Sequence, residues 1–284
     1  MHFILQFTAF TDCPKLIGNR HSLLAVLIII GLYVFFLGKN LTSGLGDSPG
    51  AQYVMDSWIM SGVISVSGVT TTMGAFAVMI DDRANKILKD FTVSPIRSSK
   101  LAAAYILSSV VVGFIMSLVT FVLAEAYIFL NGGELLAPLA ILKMLGLILL
   151  TVLTSSAMVY FLTSFFNSQN AFATASTILG TIIGFLAGVY VPIGQFSDNV
   201  QTIIKLFPVT YSASLMRQVM MEEPLKISFE GAPVEALDAF KLMMGHTIRF
   251  GESAVTPFTS MLILIATALL LYGLSILNIS RKAK

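Results

Sequence analysis

Six stretches of this sequence are about as long as a bilayer crossing, each with at most one charged side chain, and nothing else in the chain constrains the fold as tightly. They fall at 22–41, 53–80, 101–130, 139–162, 171–191 and 257–279. A hydrocarbon core of about 30 Å takes roughly 20 mostly apolar residues in helical form. Lipid cannot satisfy backbone N–H and C=O groups, so such stretches must be helices or strands of a closed barrel. A barrel would show short alternating segments, and these are absent. The expectation is one all-α, polytopic transmembrane domain over 1–284 with six transmembrane helices. Composition agrees: 56% of the 284 residues are hydrophobic and 11% charged, against roughly 25% charged in a soluble domain. A net charge of +2 gives no reason to expect nucleic acid as a partner.

The charges decide the orientation. With the start of the chain inside, the inner segments hold Lys15, Arg20, Arg83, Lys86, Lys89, Arg97, Lys100, Arg281, Lys282 and Lys284 against only Asp12, Asp81, Asp82 and Asp90. The outer segments hold the other basic residues against more acids than bases. Positive-inside bias therefore places both termini in the cytoplasm, and an even number of spans fits. Residues 1–21 mix apolar groups (Phe3, Ile4, Phe7, Phe10) with Lys15, Arg20 and His21, a pattern that predicts an interfacial helix on the inner face.

Between the second and third spans lies the longest charged run, Asp81 to Lys100, DDRANKILKDFTVSPIRSSK. Ile87, Leu88 and Phe91 share one face at helical spacing while Arg83, Lys86, Lys89 and Asp90 stay polar. Ser94-Pro95 then breaks the helix, because proline restricts the residue before it and cannot continue the backbone ladder. The run is either a lever that a cytoplasmic partner moves or an interfacial loop that keeps its charges in water.

The second span carries Ser57, Ser61, Ser65, Ser67, Thr70, Thr71 and Thr72. These hydroxyls either bond to carbonyls and neighbouring helices or face a hydrated path. Glu125, near the outer end of the third span, either reaches the headgroups or is an intramembrane charge, with Lys143 at the start of the fourth as its candidate partner. In the fifth span Gly180, Gly184 and Gly188 recur at steps of four, which predicts one close-packing face, within one subunit or between two. Tyr190-Val191-Pro192 ends that helix. The segment 193–256 is too polar to span. Phe196, Val200, Ile203, Ile204 and Phe207 form an apolar face, and Pro208 divides the first part into two short helices dipping into the outer leaflet. Pro233 with Glu235 suits a further helix start.

Little here suggests catalysis or metal binding. Cys13 has no second cysteine to pair with, and His2, His21 and His246 lack ligand spacing. No basic region precedes the first apolar residues, so no cleaved signal peptide is expected. Gly38-Lys39-Asn40 lacks the spaced glycine and hydroxyl of a phosphate-binding loop. No cofactor is expected on this chain.

In order and spacing these features resemble the membrane subunit of an ATP-binding cassette (ABC) exporter of the type-2 permease class. The resemblance rests on DDRANKILKDFTVSPIRSSKLAAAYILSS and on GVYVPIGQFSDNVQTIIKLFPVTYSASLMRQ, where Pro208, Tyr211 and Arg217 match the class's Pro-x-x-Tyr and following arginine. It implies that Arg83 to Phe91 forms a coupling helix on a separate ATP-binding subunit, which would hold ATP and Mg. It also implies a second permease chain, identical or related, paired around a central path. The outer re-entrant helices would be Ile193 to Phe207 and Thr210 to Met221. Arg83, Lys86, Ile87, Leu88, Phe91 and Pro95 are then the candidate coupling residues. Ser61, Ser65, Gly180, Gly184, Gly188, Pro192, Tyr211 and Arg217 are the candidate path or gate residues. The loop has fewer glutamates than many members of the class, and 222–252 has no motif that transfers.

The function expected is that of a non-enzymatic exporter permease in a prokaryotic plasma membrane. The apolar, hydroxyl-bearing spans favour amphiphilic or hydrophobic cargo, such as a drug, an antimicrobial peptide or a lipid-like molecule. A self-contained carrier or channel working through Glu125 and Lys143, or a permease-like sensor, stays open as an alternative.

Overall fold

The computed structural model describes residues 50–85, 98–251 and 253–282. The expected interfacial helix, the first expected span and the loop residues Lys86, Ile87, Leu88, Phe91 and Pro95 lie outside them. Within them the chain is all-α apart from one small ribbon. In chain order the helices are α1 (Ala51–Ala84), α2 (Ser98–Leu130), α3 (Pro138–Thr163), α4 (Gln169–Leu186), α5 (Asp198–Ile204), α6 (Pro208–Met220), α7 (Glu222–Ser228), α8 (Val234–Met243) and α9 (Pro257–Lys282), with a 3-10 turn at Ile193–Gln195. The ribbon pairs β1 (Arg249–Phe250) with β2 (Ser253–Ala254) antiparallel, Arg249 opposite Ala254.

Four of these helices are long and apolar enough to cross a membrane: α1, α2, α3 and α9. Their interiors carry no helix-breaking proline, and the first three agree with the runs 53–80, 101–130 and 139–162 to within a turn. Helix α1 is the centre of the bundle. It packs against α2, α3, α4, α6 and α7, and 78% of its most apolar window lies inside the protein, against 22% for α9. The seven hydroxyl side chains of α1 fit that position because most bond back to their own helix. Ser61 Oγ donates to the Trp58 carbonyl (2.7 Å), Thr71 Oγ1 to that of Ser67 (2.6 Å) and Thr72 Oγ1 to that of Gly68 (3.0 Å).

Small residues set the spacing of the first three helices. A Cβ on Gly113 of α2 would lie 2.9 Å from both Thr72 Cγ2 of α1 and Val152 Cγ1 of α3. Nearby, Ser109 and Ser156 share a hydrogen bond of 2.7 Å, joining α2 to α3. With 34 and 33 residues, α1 and α2 are each about 50 Å long at 1.5 Å per residue. That exceeds a hydrocarbon core of about 30 Å. Most charges of the two helices gather at the end where 86–97 joins them, with Asp81, Asp82, Arg83 and Lys100.

Helix α4 departs from the expected span. It stops at Leu186 rather than Val191, and it opens on the polar Gln169 and Asn170. The stop is a Schellman ending: Gly188 has φ +64°, its N–H donates to the Phe185 carbonyl (3.0 Å), and the Val189 N–H donates to that of Gly184 (2.9 Å). Gly188 therefore closes the helix and is not the third member of a glycine face. Gly184 lies under the Tyr190 ring, and Gly180 faces Thr70 of α1.

Candidate functional site

The remaining polar chemistry gathers at two ends of the bundle, each organised by one arginine. At the end of α1 and α2 nearest 86–97, the loop end, Asp82 and Arg83 are successive residues in the last turn of α1. Successive side chains point about 100° apart around a helix, so they reach different neighbours. Asp82 Oδ2 accepts a hydrogen bond from Tyr105 Oη of α2 (2.6 Å). Arg83 Nη1 donates to the carbonyls of Thr163 (3.2 Å) and Phe166 (3.3 Å). Thr163 is the last residue of α3, and Phe166 lies in the turn that leads to α4. A cation there meets the negative end of the α3 dipole and two carbonyls without helical partners. The family resemblance implied that Arg83 opens a coupling helix; here it lies in the last turn of α1, its guanidinium half-buried against this chain's own backbone.

At the far end the sequence folds three breaks toward one side chain. Pro208 opens α6 at its first position, where a missing N–H costs nothing. Thr210 Oγ1 then donates to the carbonyls of Leu186 (3.1 Å) and Ile204 (2.7 Å), and Tyr211 Oη to that of Lys205 (2.7 Å). The Pro-x-x-Tyr sequence thereby ties α6 to the ends of α4 and α5. About two turns along, Arg217 is 0% exposed. Its Nη2 donates to the carbonyls of Ala187 (2.7 Å) and Gly188 (2.9 Å), and its guanidinium carbon sits 5.2 Å from the centre of the Trp58 ring.

Helix α8 ends here in the same way as α4. Gly245 has φ +66°, and the N–H groups of Gly245 and His246 donate to the carbonyls of Leu242 and Lys241. The freed carbonyls are used at once: that of Met244 accepts from Trp58 Nε1 (2.7 Å), and that of His246 from Ser214 Oγ (2.7 Å) and Gln218 Nε2 (3.0 Å). Space for the guanidinium comes from absent side chains. A Cβ on Gly188 would lie 3.3 Å from both terminal nitrogens of Arg217, one on Gly245 3.1 Å from Nη1, and one on Gly62 of α1 3.3 Å from Nη2.

Among the described residues no carboxylate pairs with Arg217, and its Nε and Nη1 have no hydrogen-bond partner. Burial pulls its pKa down to about 9, which leaves it charged at neutral pH. The compensation comes from the negative ends of α4 and α8. His246 is pushed down to about 4 by burial first and then by Lys241 and Arg217, so it is neutral at pH 7.

The other expected site residues lie apart from this cluster or at its edge. Ser61 is bonded within α1, and Ser65 Oγ lies 3.5 Å from the Val209 carbonyl at the start of α6. Pro192 precedes the 3-10 turn. Glu125 does not pair with Lys143; its Oε2 accepts from the Leu136 N–H (3.1 Å), which fixes the turn between α2 and α3, and Lys143 is exposed. Sequence reasoning missed Trp58, Gly62, Gly245 and His246 at the far end and Tyr105, Thr163 and Phe166 at the loop end. Only Gly245 had a signal, a glycine standing just past an apolar helical run.

A family model described as ABC-2 family transporter protein matches residues 35–277. No curated protein matches the chain.

Proposed function

The chain belongs to the ABC-2 transporter family and is a multi-pass membrane permease, and from that premise we propose that it is the path-forming subunit of an ABC exporter driven by a separate ATP-hydrolysing subunit. The observation that carries this reading is the pair α1 and α2, which are both longer than a bilayer core needs and flank the charged run 81–100. On the side that the positive-inside bias makes cytoplasmic, a soluble partner has nothing else of comparable charge to grip between two spans. Ile87, Leu88 and Phe91 would form the apolar face of the docking helix, with Lys86 beside them and Pro95 turning the chain back toward α2.

In this reading six spans cross the membrane. Residues 22–41 supply the first and α4 the fifth, short because its remaining length is the bent 187–192 segment. Residues 193–221 form the re-entrant pair on the outer side, both termini are cytoplasmic, and a second permease chain completes the path. ATP binding would draw the partner subunits together, push the loop and shift the balance between inward-open and outward-open arrangements. The apolar spans suit amphiphilic or hydrophobic cargo.

The test is purification of the tagged chain from its native membrane. An ATP-hydrolysing subunit should co-purify, and polar replacement of Ile87, Leu88 and Phe91 together should release it while the chain still inserts. A chain that purifies alone and still moves solute in vesicles without ATP overturns the reading.

A further inference from the structure

Helix α4 is held at both ends by arginines that other elements supply. Arg83 of α1 grips the α3 terminus and the turn just before α4, through the carbonyls of Thr163 and Phe166. Arg217 of α6 grips the α4 terminus, through those of Ala187 and Gly188. Between these ends α4 packs along α1. The segment 86–97 joins directly to the turn of α1 that carries Arg83, and Asp82 in the same turn holds the start of α2 through Tyr105.

A force applied to that segment therefore meets two outlets: one to α2, to which the segment is covalently joined in any case, and one to α3 and α4, to which it is not. Packing of α1 on α3 and α4 serves the second along the length of the helix, and Arg83 is the side chain that serves it at the turn nearest the segment. Its contacts also suit repeated remaking. They are carbonyl bonds of 3.2 and 3.3 Å from one nitrogen of a half-buried group, so a shift of the turn can be followed without stranding a charge.

We propose that Arg83 is a positioning residue of the transport cycle, carrying displacement of the 86–97 loop into the α3–α4 turn and through α4 to the Arg217 cradle. This rests on the reading of the chain as a permease moved by an ATP-hydrolysing subunit.

Trp58 makes the far end observable, since it is the chain's one tryptophan and stacks on Arg217. The experiment uses the complex with its co-purified ATP-hydrolysing subunit, in lipid nanodiscs. The change in Trp58 emission on adding ATP and Mg is measured per turnover of ATP, and the same change in a Trp58→Phe complex is subtracted to remove the partner's tryptophans. Wild type should respond. Arg83→Gln should keep the subunit bound yet lose the response by about two- to thirty-fold, the range in which coupling residues act. Arg83→Lys, which keeps the charge but not the fork, should fall between.

Loss of the bound subunit from Arg83→Gln would make Arg83 a docking residue and overturn the proposal. So would an unchanged response, or a wild-type complex in which Trp58 ignores ATP. If Arg83→Gln proves too unstable to purify, Arg83→Lys alone decides, since a wild-type response from it overturns the proposal and a reduced one supports it. Failure of any ATP-hydrolysing subunit to co-purify with wild type is a different result, which removes the permease reading and this proposal with it.

Discussion

Arg83 and Arg217 make the same kind of contact, a guanidinium on two carbonyls at the C-terminal end of a helix, yet they differ in everything around it. Arg217 is sealed: 0% exposed and stacked on Trp58, in a space that Gly62, Gly188 and Gly245 leave for it. Arg83 is half-buried, and its bonds at 3.2 and 3.3 Å are longer than the 2.7 and 2.9 Å of Arg217. Water can replace the partners of the first and cannot reach those of the second. One end of the bundle is thus built to keep its partners as it moves and the other to exchange them.

The largest effect should come from Arg217. Replacement by Ala strands two buried carbonyls and opens a cavity, costing about 3 to 4 kcal/mol, to be read by thermal or denaturant unfolding in detergent. Arg217→Met sharpens the point by keeping the volume; it should still cost about 2 kcal/mol. Wild-type stability in the Met variant would show the buried cation to be a net burden, as buried ion pairs can be, and would break the contrast between a fixed end and an exchanging one.

His246 gives the next effect. Unfolded, it takes up a proton below its usual 6.5; folded, only near 4. Between those values the unfolded state binds more protons, so stability is fully present above about pH 6.5 and falls as the pH drops toward 4. The loss should reach about 2 to 3 kcal/mol, reported by the unfolding midpoint at stepped pH. His246→Gln should flatten that slope while leaving the carboxylate titrations in place. An unaltered slope would mean that the far end is more open to water than its burial implies.

What the sequence revealed divides along the same line as the two arginines. Long uncharged runs and the prolines at 208 and 233 were enough to place α1, α2, α3, α6 and α8, because lipid and proline act on the local chain. The end of α4 was not legible: Gly180, Gly184 and Gly188 at equal steps look like a packing stripe, and only the positive φ of Gly188 shows that the last of them closes the helix. Arg217 stood out through its family resemblance, but its surroundings did not. Both arginines bond to backbone oxygens, which every residue carries, so no pattern of side chains announces the partner. Trp58 and Met244 are brought together across 186 residues by folding alone.

Gly188→Ala tests the fixed end more gently. An L-residue at φ +64° costs about 1 to 2 kcal/mol, and the new methyl group would meet Ile193 Cγ1 at 3.0 Å and the Arg217 nitrogens at 3.3 Å. The unfolding midpoint should drop accordingly, and Trp58 emission in the resting protein should shift as the guanidinium is pushed across the ring. A stable variant with unshifted emission would show that the cradle yields more readily than its packing suggests.

The smallest effects belong to the loop end. Arg83→Gln should cost about 1 kcal/mol and Tyr105→Phe about half that, since Asp82 is partly exposed and water can replace the lost hydroxyl. Their value lies in combination. Asp82 and Arg83 occupy one helical turn but hold different helices, so if the turn moves as a unit, the double variant should depart from the sum of the singles by more than about 0.5 kcal/mol. Simple additivity would mean that α2 and α3 are held independently, and that a push on the loop can reach one without the other.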